Sequence, residues 1–155
     1  MNPTGPVVES KVRVRYAETD AQGIVYHANY LVWFEVGRTD YCEAAGYPYA
    51  RMEAEGVFIA VVEARARYRR GARYGDVVTV RTRFAELKSR GCTFLYEVVL
   101  PDGSLAAEGE TRPPSPGRSG PSPGSRRRQP RCGSFFISAR WTSGGTSPET
   151  SPPSS

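Results

Sequence analysis

The sequence predicts an α+β domain, one antiparallel sheet with a single long helix, and three observations carry that prediction. An alternating segment opens the chain, a stretch with apolar residues three and four apart follows it, and four more alternating segments come after. Strands gathered after one helix suit an α+β layering better than repeated βαβ units. With 155 residues, 39% hydrophobic and 24% charged, the chain has the composition of one ordinary globular domain.

Residues 1–9 carry two prolines and a glycine and make a loose lead-in. Lys11 to Tyr16 alternates, with Val12, Val14 and Tyr16 on one face and three cations on the other, as a half-buried strand does. From about Ala28 the period changes: Leu31, Phe34, Arg38, Tyr41 and Ala45 form a stripe widened by Trp33 and Cys42. Gly46 and Pro48 supply the stop. A helix of roughly 17 residues is about 26 Å long. Its aromatic content predicts a helix wrapped by sheet, not merely covered on one side.

Tyr49 to Glu55 reads as a short second helix closed by Gly56. Val57 to Tyr68 reads as a strand with Val62, Ala64, Ala66 and Tyr68 on one face. Asp76 to Glu86 points Val78, Val80, Thr82 and Phe84 inward, and Cys92 to Leu100 does the same with Phe94, Tyr96, Val98 and Leu100. Pro101-Asp102-Gly103 predicts a two-residue hairpin turn with positive φ. Leu105, Ala107, Gly109 and Thr111 form a smaller-residue strand beside its neighbour.

Several function classes drop out. No apolar run approaches membrane-spanning length, so no insertion into a membrane is expected. Residues 1–10 lack the basic start and apolar core of a secretory signal, and a cytoplasmic location is expected. Cys42, Cys92 and Cys132 are too few and too irregular for a disulfide framework or a zinc motif. The net charge of +5 sits in residues 113–155, which hold six arginines and one acid, so residues 1–112 are neutral overall. No nucleic-acid partner is expected for the domain.

The chemistry concentrates between Tyr16 and Tyr30, where Asp20, Gly23 and the only histidine, His27, lead into the long helix. Amides at a helix start have no partner within the helix and favour an anion. Gly23 permits positive φ and close approach. On residues alone, Asp20 either caps the loop or acts as base or nucleophile. His27 is either a surface residue or part of a site, and Tyr26 offers a backbone N–H and an aromatic wall or simply packs. Cys42 lies fifteen residues beyond His27, about 22 Å along a continuous helix, so the two cannot form a catalytic pair within one chain. Nothing surrounding Cys92 suggests an activated thiolate. One histidine leaves no repeated histidine metal motif, and neither metal nor cofactor is expected.

Glu18-Thr19-Asp20-x-x-Gly23-x-Val25-Tyr26-His27-x-x-Tyr30 resembles the signature of hotdog-fold acyl-CoA thioesterases of the 4-hydroxybenzoyl-CoA thioesterase type. The likeness continues through Glu35, Arg38, Thr39, Val62-Glu63-Ala64 and Tyr68 to Asp76, and covers roughly residues 8–112. It implies a hotdog fold, a five-stranded antiparallel sheet curled around the long helix, assembled as homodimers or homotetramers. It also implies hydrolysis of acyl-CoA to free acid and coenzyme A, with Asp20 as nucleophile or general base and His27 positioning substrate or water. Amides near Tyr26 and His27 are the candidate oxyanion donors. A thioester suits so small a catalytic set because its thiolate leaving group, of pKa about 8.5, needs little help from an acid. Gly23, Glu63, Arg70, Arg73, Lys88 and Arg90 are candidate substrate-binding residues, the cations facing coenzyme A phosphates or simply solvent, and Glu63 in the site or paired with neighbouring arginines. The alternatives are a hotdog enoyl-thioester hydratase, or an inactive hotdog protein with a basic tail.

This places a lead-in at 1–9, the domain at 10–112 and a tail at 113–155. The tail holds nine of the thirteen prolines, eleven serines and six glycines, a composition expected to stay disordered. It begins where a strand pattern breaks at Pro113-Pro114, as a shifted reading frame in a GC-rich gene produces. Translation of the other two frames beyond the Arg112 codon is expected to resume alternating strand sequence in one of them. If neither frame does so, the tail is a genuine extension.

Overall fold

A computed structural model of the chain describes residues 5–56, 59–88 and 91–113. The expected tail lies outside these from residue 114 onward, as does Arg90. Strand β1 spans Val7–Arg13, helix α1 Asn29–Ala44, helix α2 Tyr49–Ala54, and strands β2 to β5 span Glu63–Tyr68, Val77–Lys88, Gly91–Val99 and Leu105–Arg112. The five strands form one sheet in the order β1-β3-β4-β5-β2, every neighbour antiparallel. This is the expected α+β arrangement. The chain leaves one edge of the sheet after β1, crosses its face as α1, and returns at the opposite edge as β2.

The alternation in β3 and β4 builds the face that receives α1. Val78, Val80, Thr82, Phe94, Tyr96 and Val98 are all buried there, beneath Trp33, Phe34, Gly37, Arg38, Tyr41 and Cys42 of the helix. Phe34 lies flat on Tyr96, with ring centroids 4.5 Å apart and planes 10° from parallel. Arg38, though buried, donates from Nε to Tyr49 Oη at 2.7 Å and from Nη1 to Tyr96 Oη at 3.3 Å. Two glycines permit this contact. A Cβ on Gly37 would meet Thr82 and Val80, and one on Gly109 of β5 would meet the Phe34 ring and the Arg65 carbonyl.

Four expectations need correction. β1 runs from Val7 to Arg13, not from Lys11 to Tyr16, because β3 supplies partners from Arg83 down to Val77 and none beyond. The chain then tightens into a 3₁₀ turn, Tyr16–Glu18, that leaves Tyr16 77% exposed, edge-on to Tyr74. Leu31, expected in the buried stripe, is 41% exposed, although Phe34, Arg38 and Tyr41 of the same stripe are buried. β2 begins only at Glu63; Ile59 to Val62 are not strand, and residues 57–58 lie outside the described residues. In the β4–β5 hairpin only Gly103 has positive φ, 85°, and its N–H closes the turn on Leu100 O at 2.9 Å. Proline suits the first central position of such a turn, and the extra glycine shifts the register between Val98 and Val99.

The outer face of β2 and β5 is a charge ladder. Arg65 faces Glu110 and Arg67 faces Glu108 in register, with Arg69–Glu108 and Arg112–Glu110 both at 2.8 Å. Opposed pairs of this kind contribute about 0.2–1 kcal/mol each.

Replacing a strand glycine by alanine ordinarily stabilises, because glycine loses more chain entropy on folding. At Gly109 the sign reverses, since neither the Arg65 backbone nor the Phe34 stack has room to yield. Gly109→Ala is expected to lower stability by about 1–3 kcal/mol, the range for overpacking. Urea unfolding measures it, and an unchanged or raised midpoint would contradict this account of how the helix docks.

Candidate active site

The loop between β1 and α1 folds back on itself. Asp20 N–H donates to Ile24 O at 2.9 Å, Gly23 N–H donates to Asp20 O at 3.0 Å, and Thr19 bridges Val25. Gly23 takes φ 76°, which an L side chain rarely adopts. The segment after β2 clamps this loop from the side. Val25 N–H donates to Ala72 O at 2.9 Å, Ala72 N–H donates to Tyr30 Oη at 3.2 Å, and Gly71 sits so close to Ile24 that a Cβ there would strike it. Tyr68, the last residue of β2, donates its hydroxyl to His27 O at 3.0 Å.

These contacts close a cleft of about 300 Å³ lined by Asp20, Ile24, Val25, His27, Tyr30, Tyr68, Arg69, Arg70 and Gly71. Asp20 and His27 therefore meet across one space. Asp20 Oδ1 accepts Gln22 N–H at 2.8 Å, which fixes the carboxylate, while Oδ2 has no hydrogen-bond partner among the described residues. The His27 ring packs between Tyr26, with centroids 4.3 Å apart, and Tyr68, at 6.0 Å. Burial raises the Tyr68 and Tyr30 phenols above their ordinary range, so both remain protonated at neutral pH.

Of the two expected oxyanion amides, that of Tyr26 is committed: it donates to Glu18 O at 2.8 Å. The following two, His27 and Ala28, donate to no backbone acceptor among the described residues and precede the first turn of α1. They are the open donors at this helix start.

The candidate substrate-binding residues scatter. Arg70 lines the cleft, its Nη1 3.1 Å from Ser104 Oγ and 3.4 Å from Asp102 Oδ2. Arg73 is exposed in the loop before β3, and its guanidinium makes no ion pair with a described residue. Glu63 sits at the opposite end of β2 from Tyr68 and accepts Arg65 Nε at 2.8 Å. Lys88 ends β3, about 36 Å along the strand from Val77 at 3.3 Å per residue. Sequence reasoning did not single out Tyr68, Arg69 and Tyr30 as site residues, although all lie inside the motif stretches; a strand end and a helix start meet only in three dimensions.

A larger groove, about 730 Å³, crosses the outer sheet face between Arg65, Arg67, Glu97, Glu108 and Glu110. Its arginines are already matched to glutamates and it holds no nucleophile beside open amides, so it is the weaker candidate. Cys42 and Cys92 are buried and line neither space.

A family model described as the thioesterase-like superfamily matches residues 14–113. The chain is 41% identical over 100 residues to the putative acyl-CoA thioesterase YneP of Bacillus subtilis, spanning 64% of this chain and 72% of that protein. It is 30% identical over 99 residues to the acyl-CoA thioester hydrolase YbgC of Escherichia coli, spanning 64% and 74%. Among solved structures, the DHNA-CoA thioesterase of Staphylococcus aureus aligns with a TM-score of 0.65 at 35% identity, over 68% of this chain and 70% of that one.

Proposed function

The chain belongs to the thioesterase-like superfamily and is an acyl-CoA thioester hydrolase, and we propose that the cleft between Asp20 and His27 is where it works. The observation that carries this is the meeting of a half-free carboxylate with two open amides at a helix start. Water bound at Asp20 Oδ2 gives up a proton to it and attacks the thioester carbonyl carbon. The oxygen of the tetrahedral intermediate is held by the His27 and Ala28 amides, where preorganised donors act with little reorganisation. The C–S bond breaks, the thiolate of coenzyme A leaves, and the proton on Asp20 returns to the products. The His27 ring, fixed between Tyr26 and Tyr68, positions the acyl group.

The working form is a homodimer joined at the outer edge of β2. That edge pairs with nothing else among the described residues, and Tyr68 at one end of β2 and Val61 and Val62 just before the other are exposed by 44%, 39% and 61%. An unpaired edge with apolar neighbours is a liability that strand pairing removes. Antiparallel pairing of two β2 strands carries Glu63 of the second copy toward Tyr68 and the cleft. Arg70 at the cleft, with Arg73 in the loop that follows, meets the phosphates of coenzyme A. A monomer mass by light scattering at micromolar concentration would remove this element of the proposal.

Asp20→Asn keeps shape and removes basicity. Thiol release from acyl-CoA is expected to fall in kcat by at least ~10²-fold, with KM little changed. His27→Ala is expected to cost less, as a positioning group does. Near-wild-type turnover by Asp20→Asn would refute the assignment, and equal losses in the two variants would make His27 an essential partner.

A further inference from the structure

Glu18 is a buried carboxylate that the hydrolysis above leaves without a part. It is only 4% exposed. Its Oε2 accepts the Arg15 N–H at 2.8 Å, and its Oε1 accepts Trp33 Nε1 and Arg15 Nη2, both at 3.2 Å. Its main-chain carbonyl accepts the Tyr26 N–H at 2.8 Å and Asn29 Nδ2 at 3.0 Å. One residue thus grips the entry to the loop, the body of α1, the peptide just before His27 and the first residue of the helix.

The loop has two limbs, and the reacting groups are divided between them. Asp20 stands on the outgoing limb, two residues after Glu18; the His27 and Ala28 amides stand on the returning one, directly after Tyr26. Among the described residues three hydrogen bonds tie limb to limb: Asp20 N–H to Ile24 O and Tyr26 N–H to Glu18 O, which together make the Thr19–Val25 bridge, and Asn29 Nδ2 to Glu18 O. The Glu18 side chain fixes where that carbonyl points, because Trp33 holds it to a helix already seated on the sheet. Anchorage alone does not call for a carboxylate here. The ion pair with Arg15 is weak, since the Arg15 side chain is 73% exposed, and a neutral oxygen could accept from Trp33. Burial alone would raise the Glu18 carboxyl, but the bonds from Arg15 and Trp33 outweigh it and hold the group below its ordinary value, ionised at neutral pH.

We propose that Glu18 is a positioning residue that sets the separation between Asp20 and the His27 and Ala28 amides. It acts on turnover and not on substrate binding, and the inference rests on the thioesterase reading. Misplacement of reacting groups by about 1 Å can cost ~10²-fold in rate. Glu18→Gln presents one acceptor oxygen where two worked and sets an amide N–H₂ against the donors. Its kcat per folded molecule is expected to fall about tenfold or more with KM within about twofold, and Glu18→Asp, keeping the charge, recovers part of the loss. In the Asp20→Asn background the same change adds little, because the two act as a unit.

NMR gives an arm that needs no turnover: the His27 and Ala28 amide signals should move in Glu18→Gln. Wild-type kcat in Glu18→Gln, with only a lowered melting temperature, would overturn the proposal and leave Glu18 as an anchor. If Glu18→Gln does not fold, Glu18→Asp carries the test: a reduced kcat at unchanged KM supports the proposal, and full activity overturns it. Absence of thiol release from the unaltered protein would instead refute the thioesterase reading. In that case unmoved His27 and Ala28 signals would still overturn the role of Glu18, and shifted ones would uphold the geometry.

Discussion

Everything in this fold follows from how closely α1 lies on the sheet. Gly37 lowers the helix onto Val80 and Thr82, and Gly109 opens a place in β5 for the edge of the Phe34 ring. The Phe34–Tyr96 stack is worth about 0.5–1.5 kcal/mol beyond its buried area, but its larger consequence is positional. Tyr96 also binds Thr111 at 2.8 Å and Arg38 at 3.3 Å, so one ring ties α1 to both β4 and β5. Burial works against the Arg38 charge, yet the Tyr96 and Tyr49 oxygens outweigh it and keep the guanidinium protonated. Removing either tyrosine hydroxyl would leave part of a buried cation unpaired, a costly state.

A helix seated in this way has its N-terminus placed by its middle. The first turn emerges beside the C-terminal end of β2, where the Tyr68 hydroxyl meets the His27 carbonyl and Tyr30 meets Ala72. The loop carrying Asp20 is therefore held on three sides: by α1, by the end of β2 and by residues 71–72. That enclosure lets a short exposed loop hold a carboxylate and two amides in a defined relation. A thioester asks for little more, since its leaving group departs as a weakly basic thiolate.

Much of this was legible in the sequence because it is periodic or local. The helical stripe from Phe34 to Tyr41, the inward faces of β3 and β4 and the α2 boundary all follow from spacing and from glycine and proline stops. What escaped depends on partners distant in the chain. Leu31 obeys the helical period but is left exposed by the strands described, and Tyr16 obeys the strand period but lies past the last partner that β3 offers. The acid at Glu18 acquires its meaning from Trp33, fifteen positions away, and nothing local distinguishes it from a solvated side chain. Lys88 and Arg70 were equivalent as cations matched to phosphates, until strand direction put Lys88 at the far end of β3.

The shortened β2 shows that a strand is a property of two segments. Ile59, Val61 and Val62 are β-branched and suited to a pleated surface, yet ordered pairing covers only Glu63 to Tyr68. Every pair in β2 is made with β5, from Tyr68↔Ala107 to Glu63↔Arg112, and Val62 N–H still reaches Arg112 O at 3.1 Å. The next residue on that side is Pro113, which has no N–H to return and whose ring disfavours continuation of a ladder paired on both sides. Propensity on one side cannot replace a missing donor on the other, so the proline that closes β5 also sets the start of β2. The exposure of Val61 and Val62 is the visible cost, and it falls on the edge where a second copy is proposed to dock. The end of β5 thereby limits how much of that edge the dimer has available for pairing.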